Sequence, residues 1–195
     1  MKRIILILAL LIPLGLSAQK PEAPEYRHEW RFGFAGYPLI DQLFFGYGHD
    51  YFIDAMDTDD LYSDYHGDCT MVGLLSAEYS INYTNRFSFA VSGYVNSFWT
   101  PMFDYKDNRN GMNVGVSLHV IPTARYNYYS GPAFSVYSTI GLGLIVGTEN
   151  DEVFAFPTFQ ISPLGITFGR KVFGFAEWNG GLSYLGGRAG VGYRF

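Results

Sequence analysis

The last ten residues of the chain, 186–195, alternate strictly between two kinds of side chain. Successive side chains of an extended backbone point to opposite faces, so this alternation predicts a β-strand whose two faces differ in polarity. The apolar face comprises Ala189, Val191, Tyr193 and Phe195, and the opposite face comprises Arg188, Gly190, Gly192 and Arg194. Such a strand packs its apolar face either against the core of a soluble sheet or against the hydrocarbon of a membrane.

The same alternation opens the folded part of the chain at residues 29–37. Trp30, Phe32 and Phe34 share one face there, while Arg31 and small residues share the other. Six more segments repeat the pattern: residues 70–82, 87–96, 112–126, 134–146, 153–168 and 172–179. Eight strands are therefore predicted, and a barrel in lipid would turn their large residues outward. Because unpaired backbone groups are costly in lipid, the eighth strand is expected to pair with the first.

Two short stretches resemble a known family. The chain ends in Gly-Tyr-Arg-Phe at 192–195 and carries Ser-Pro-Leu-Gly at 162–165, and both are similar to small bacterial outer-membrane β-barrel proteins. The resemblance covers the whole mature chain and implies an all-β fold, a closed antiparallel transmembrane β-barrel of about eight strands. It also implies that Val191, Tyr193 and Phe195 form the closing-strand signal that the barrel-assembly machinery reads in that family. That machinery and outer-membrane lipid are the partners it implies.

Residues 1–18 predict a cleaved signal peptide. Lys2 and Arg3 precede an apolar run, which ends at a small-residue cleavage site, Leu-Ser-Ala at 16–18. A membrane-spanning helix needs about 20 apolar residues, and this shorter run contains Pro13. Cleavage after Ala18 predicts a periplasmic lead-in at 19–28 and a barrel domain at 29–195, located in the bacterial outer membrane.

Composition limits the possible partners. Only 16% of the residues are charged and 18% are aromatic, against roughly 25% charged in an average soluble domain. The formal net charge of -5 argues against nucleic acid, which requires a clustered positive surface. Cys69 is the one cysteine of the sequence, so an intramolecular disulfide is excluded even in the oxidising periplasm.

Long and short connections alternate along the predicted strands. A long acidic stretch runs from Pro38 to about Asp68, and further loops at 99–110, 147–152 and 180–185 follow the third, fifth and seventh strands. Tight turns follow the strands between them. Short turns of such barrels face the periplasm, so the long loops are expected outside the cell. Aromatic residues at the turn side predict a periplasmic girdle: Trp30, Tyr79, Phe87, Tyr193 and Phe195.

Five charged side chains point into the predicted lumen: Arg31, Glu78, Glu177, Arg188 and Arg194. The lumen of an eight-stranded barrel is filled by side chains, and buried charges are usually paired. We therefore predict an interior salt-bridge network rather than a catalytic centre. The inward position of Glu177 requires a register that turns Trp178 outward. Pro157 and Pro163 predict a bulge in the sixth strand, because proline cannot donate to the ladder.

Two other patterns bear on catalysis and metal binding. Ser117 and His119 share the lumen face, whereas in barrel deacylases of lipid A the histidine precedes the serine and the pair faces lipid. A hydrogen-bonded interior histidine is therefore expected. The segment from Asp57 to Asp68 lacks the mid-loop glycine and terminal glutamate of an EF-hand, so we expect a solvated acidic loop. No catalytic residue, metal or cofactor is predicted.

The sequence thus favours a non-catalytic outer-membrane barrel. It would act through its extracellular loops, by adhesion or by binding an unknown extracellular ligand, or serve as a structural component of the envelope. The alternative is a lipid-modifying barrel enzyme of the lipid A deacylase or acyltransferase type. A diffusion pore is not expected, because water-filled channels occur in barrels of about 16 strands.

Overall fold

The computed structural model describes residues 22–41, 65–66, 69–104, 106, 108–149 and 152–195. The predicted signal peptide lies outside these residues. So does most of the acidic stretch that follows Pro38, including nearly all of the segment weighed as a calcium loop.

Eight long antiparallel strands form a closed barrel in the described part of the chain. They are β1 (His28–Tyr37), β2 (Leu74–Asn82), β3 (Phe87–Phe103), β4 (Arg109–Ser130), β5 (Phe134–Glu149), β6 (Glu152–Gly169), β7 (Val172–Gly181) and β8 (Leu185–Arg194). Each strand pairs with the next one along the chain. The last strand returns to the first, with Tyr193 opposite Trp30 and Val191 opposite Phe32. The predicted closed barrel of eight strands is confirmed.

Strands β3 and β4 are longer than the sequence pattern predicts. The expected loop at 99–110 is wrong, because the ladder continues through Thr100 opposite Asn113 and Pro101 opposite Met112. Polar side chains in a sequence favour a loop, but the lumen face of a barrel strand is itself polar. The fourth strand also extends past its predicted end at residue 126, since β4 runs on to Ser130.

The predicted strand at 70–82 is interrupted. Its first part, Thr70–Met71, pairs with β3, and β2 begins only at Leu74. Gly73 lies between them with a φ of 89°, a left-handed conformation that favours glycine. A second short segment, Tyr65–His66, also pairs with the distal part of β3. A helical turn, Leu39–Asp41, follows β1.

The two faces of the wall differ as predicted. Large apolar side chains on every strand point outward and are exposed, and Leu142 (72%) and Trp178 (69%) are among the most exposed. Ser, Asn, Glu and Arg side chains alternate with them on the buried inner face. The register that turns Glu177 inward is confirmed. The bulge in β6 is confirmed near Pro163, as a shift of pairing between Ile161 and Leu164, whereas Pro157 lies in regular register opposite Leu144.

The barrel has two distinct ends. At the turn end, short connections follow β2, β4 and β6; at the loop end, connections follow β1, β3, β5 and β7. The predicted girdle residues lie at the turn end, where the rings of Trp30 and Tyr79 are 4.9 Å apart. The lead-in also packs there: Asn85 N donates to Glu22 O (2.9 Å) and Asn82 Nδ2 donates to Tyr26 O (3.0 Å). None of the helices in the described ranges has the length and apolarity to cross a membrane.

Candidate functional site: the barrel lumen

A network of charged side chains fills the half of the lumen nearer the turn end. Its members come from five strands and are buried or nearly so: Glu29, Arg31, Glu78, Arg125, Glu177, Arg188 and Arg194. We call these seven residues the lumen network. Alternation along each strand directs these side chains inward, and the diameter of an eight-stranded barrel brings them into contact.

Glu29 is the carboxylate nearest the turn end and contacts three arginines. Its Oε1 accepts from Arg31 Nε (2.5 Å) and Arg125 Nη1 (2.9 Å), and its Oε2 accepts from Arg194 Nε (2.8 Å). Deeper in the lumen, Glu78 accepts from Arg125, from Arg188 Nη1 (2.7 Å) and from a serine hydroxyl. The carboxylates are therefore hydrogen-bonded on both oxygens, as buried charges require.

Glu177 completes the network from β7. Its Oε1 accepts from the hydroxyl of Tyr137 (2.8 Å) and from Arg31 Nη1 (3.2 Å), and its Oε2 lies 3.3 Å from Arg188 Nη1. Arg31 also donates to the Tyr137 hydroxyl at 2.6 Å. One buried tyrosine thus connects a cation and an anion that are far apart in sequence.

Aromatic rings cover the faces of the guanidinium groups that carboxylates leave open. Arg194 Cζ lies 4.0 Å from the ring centroid of Phe173, and Arg188 Cζ lies 5.0 Å from that of Phe175. Cation–π contacts of this kind are strengthened where water is excluded. Phe173 and Phe175 are inward aromatic residues of β7, so the lumen is filled by a mixture of charge and aromatic surface.

All five charged residues singled out from the sequence lie in the lumen network. Sequence reasoning missed two members, Glu29 and Arg125. A signal for each was present: Glu29 precedes Arg31 by two residues and shares its face, and Arg125 follows His119 by six. Extending the alternation beyond Pro122 would have placed Arg125 inward.

A second cluster lies nearer the loop end and holds the predicted pair Ser117 and His119. Asp41 Oδ2 accepts from Ser117 Oγ (2.6 Å) and from Asn96 Nδ2 (2.7 Å). His119 Nε2 lies 3.2 Å from Ser117 Oγ and 3.4 Å from Asp41 Oδ1. His119 Nδ1 lies 2.5 Å from Ser183 Oγ. We call these five residues the loop-end cluster.

The Ser117 hydroxyl donates to Asp41, so its oxygen accepts from Nε2 of His119, and this nitrogen carries a hydrogen. The ring of His119 thus lies between the hydroxyls of Ser117 and Ser183. Ser183, His119 and Asp41 lie in the order found in serine hydrolases, although on the opposite ring nitrogens and without a hydrogen bond to Asp41 Oδ1. Ser183 lies in the β7–β8 connection. It could not be predicted because the sequence of that segment does not alternate between apolar and polar residues.

The burial of this cluster limits what it can do. Asp41, Ser117, His119 and Ser183 are all 0% exposed. A nucleophile acts only when a reacting carbonyl can approach it closely, and these side chains face one another instead. Geometrically the cluster is an anchor that ties the helical turn after β1 to the inner faces of β3 and β4.

The predicted closing-strand residues lie on the outer face of β8. Val191 and Tyr193 are exposed and pair with β1, and Phe195 continues the same face. Backbone hydrogen bonds join Phe195 to His28 in both directions, at 3.0 and 2.9 Å. The role of these residues as an assembly signal stays a prediction.

The described loops show no assembled metal site. In the β3–β4 connection, the side-chain amide and backbone N–H of Asn108 donate to Asp104, which lowers the pKa of this carboxyl below its usual range. Among the described residues, no group of three or more His, Cys, Asp or Glu side chains is arranged to hold a metal ion.

No protein-family model matches this sequence, and no curated protein matches it.

Proposed function

We propose that this protein is a bacterial outer-membrane protein whose barrel spans the membrane and has no catalytic role. The observation that carries the proposal is that the outer face of the closed barrel is apolar and its inner face is polar. Exposed large apolar residues occur on all eight strands, and the interior holds charged and polar groups. A soluble monomer rarely exposes apolar patches beyond a few hundred Å², whereas a barrel in lipid requires such a band.

Quenching of tryptophan fluorescence by brominated lipids tests the membrane location. Trp30 and Trp178 both point outward, and Trp178 is the more exposed of the two. Refolded into vesicles, the protein should be quenched when lipids carry bromine on their acyl chains. Efficient folding in buffer without detergent, with no quenching in vesicles, would contradict a transmembrane barrel.

Two non-catalytic roles, binding through the extracellular loops and structural support of the envelope, are separable by complementation. A strain lacking the protein is restored either with the intact chain or with a chain lacking residues 50–64. If the role is structural, both should restore resistance to large antibiotics equally. If the role is exercised through the first loop, only the intact chain should restore the function that is lost.

The enzymatic alternative rests on the short contact between Ser183 and His119. A fluorophosphonate probe distinguishes a reactive serine from a hydrogen-bonded one. We expect no labelling of the folded protein, because Ser183 is buried. Labelling that persists in Ser117→Ala and disappears in Ser183→Ala would instead establish a serine hydrolase, since Ser117 and Ser183 contact opposite nitrogens of the same histidine.

A further inference from the structure

The lumen network is not electrically balanced. Four guanidinium groups, on Arg31, Arg125, Arg188 and Arg194, face three carboxylates. The other buried carboxylate of the described residues, Asp41, contacts Asn96, Ser117 and His119 in the loop-end cluster. The network therefore carries one excess positive charge, and burial makes an uncompensated charge unfavourable. Arg194, at the turn end, keeps 15% of its side chain exposed, whereas the other three arginines are almost fully buried.

A cavity adjoins the network at the turn end. It has a volume of about 90 Å³, and its wall includes Arg31, Arg125 and Arg194 together with Glu29. Its wall also includes two exposed residues of the turn end, Glu25 of the lead-in and Pro132 of the β4–β5 turn, so the mouth is expected at that end. A single water requires only about 10–15 Å³, so this cavity has room for an ion of several heavy atoms.

The arginines of the network keep hydrogen-bonding capacity. Arg125 lines the cavity and is 2% exposed. Its Nε is enclosed by protein and has no hydrogen-bond partner, and Arg188 Nη2, deeper in the network, has none either. Arg125 already donates from Nη1 to Glu29 and from Nη2 to Glu78. Buried N–H donors are rarely left without an acceptor.

We propose that the turn-end cavity binds a single small oxyanion of the phosphate type. Its oxygens only accept hydrogen bonds, which matches guanidinium donors, and its charge offsets the excess of the network. Water would satisfy the donors but not the charge. Glu25 and Glu29 also line the cavity, so a compact anion of low charge fits better than a polyanion.

The same chemistry is available from free phosphate and from a lipid headgroup. Under the proposed outer-membrane orientation the mouth faces the periplasmic rim, where both occur. Binding in detergent does not depend on that orientation, so failure of this site and failure of the proposed function are distinguishable.

The decisive comparison removes one positive charge at the same rim in two places. Arg194→Gln leaves three arginines facing three carboxylates and removes a cavity-lining cation. Lys171→Gln removes a cation that lies over the outward ring of Tyr193 and does not line the cavity. Inorganic phosphate is titrated calorimetrically into each barrel in a non-ionic, phosphate-free detergent without chloride.

We expect saturable binding of one phosphate to the wild-type barrel, at least tenfold weaker binding to Arg194→Gln, and unchanged binding to Lys171→Gln. A second variant, Glu25→Lys, changes an exposed residue that lies outside the strands and lines the cavity, and it should strengthen binding severalfold. Absence of saturable binding to the wild type would overturn the proposal, as would equal effects of Arg194→Gln and Lys171→Gln. If Arg194→Gln does not fold, the proposal would be overturned by a phosphate affinity of Glu25→Lys equal to that of the wild type.

A second arm identifies the source of the anion. The barrel is placed in nanodiscs of phosphatidylcholine with or without phosphatidylglycerol, and inorganic phosphate is titrated again. Competition by phosphatidylglycerol supports a headgroup in the cavity, and unaffected phosphate affinity supports the free ion.

Discussion

Arg31 illustrates how single side chains fill the lumen of this barrel. Its guanidinium donates to Glu29, Tyr137 and Glu177 in the plane, and the ring of Phe175 lies 5.2 Å away. A buried ion pair contributes little net stability compared with apolar packing, but removal of one partner leaves a charge without compensation. The network is therefore sensitive to the loss of any one charge.

Glu78→Gln tests this sensitivity. The change removes the charge that faces Arg125 and Arg188, and we expect a loss of about 3–5 kcal/mol in the free energy of unfolding. Urea titration in lipid vesicles measures it. Glu25→Gln is the control, because this exposed residue lies outside the network and should change stability by less than about 0.5 kcal/mol. Equal effects of the two changes would show that the buried charges are solvated.

Leu142→Arg tests which face meets lipid. Leu142 lies near the middle of β5 and points outward, as Val116 does on β4. Arginine at either position should cost about 2–4 kcal/mol in a bilayer. Val153→Arg is the control, because Val153 is equally outward but adjoins the loop end, where the expected cost falls to about 0–1 kcal/mol. Harmless substitution at all three positions would argue against a membrane.

At the scale of the strand, β6 shows how a bulge accommodates one extra residue in a barrel wall. Ser162 is buried, Pro163 and Leu164 both point outward, and Gly165 is buried again. Pro163 is thus the extra residue of the bulge, located where its missing N–H donor does not break the ladder.

Single-residue deletions in β6 test this assignment. Deleting Pro163 leaves regular alternation from Ser162 through Gly165, so the barrel should still form. Deleting Thr158 reverses the facing of the residues between it and the bulge, which turns Phe159 inward and Gln160 outward, so folding should fail. Gel mobility without heating distinguishes the compact barrel from the unfolded chain. Equal failure of both deletions would contradict the bulge assignment.

At the scale of the whole molecule, pairing between β1 and β8 closes the barrel, while the loop-end part of β6 extends beyond β7 and pairs only with β5. The two ends of the barrel therefore differ. Short turns and the packed lead-in occupy one end, while the connection that begins at Leu39 and the longer strands β3 to β6 define the other. In a bacterial envelope this asymmetry predicts that the turn end faces the periplasm.

Cysteine labelling tests that orientation. Cys69 precedes Thr70–Met71 at the loop end and is half-buried. A membrane-impermeant maleimide should modify it on intact cells, or after residues 50–64 are removed if these cover it. For the control, Thr84→Cys in a Cys69→Ser background places the thiol in the β2–β3 turn, which should react only after the outer membrane is opened. The opposite pattern would reverse the topology.

The sequence by itself determined which residues face the lumen and which face outward. Alternation is a property of the local backbone, so it located eight strands, the inward Arg31, Glu78, Glu177, Arg188 and Arg194, and the bulge near Pro163. It did not determine where polar strands end, because a lumen-facing position and a loop position select the same residue types. This is why 99–110 was assigned wrongly to a loop.

Only the tertiary structure decided which inward side chains meet. Glu29 contacts Arg125 across the lumen. Ser183 and Asp41 reach His119 from connections whose sequences do not alternate between apolar and polar residues. Such contacts depend on the stagger of the strands around the closed wall, which is set by all eight pairings together. A pattern within one strand carries no information about that stagger, so the imbalance of charge and the cavity beside it become visible only when the barrel is closed.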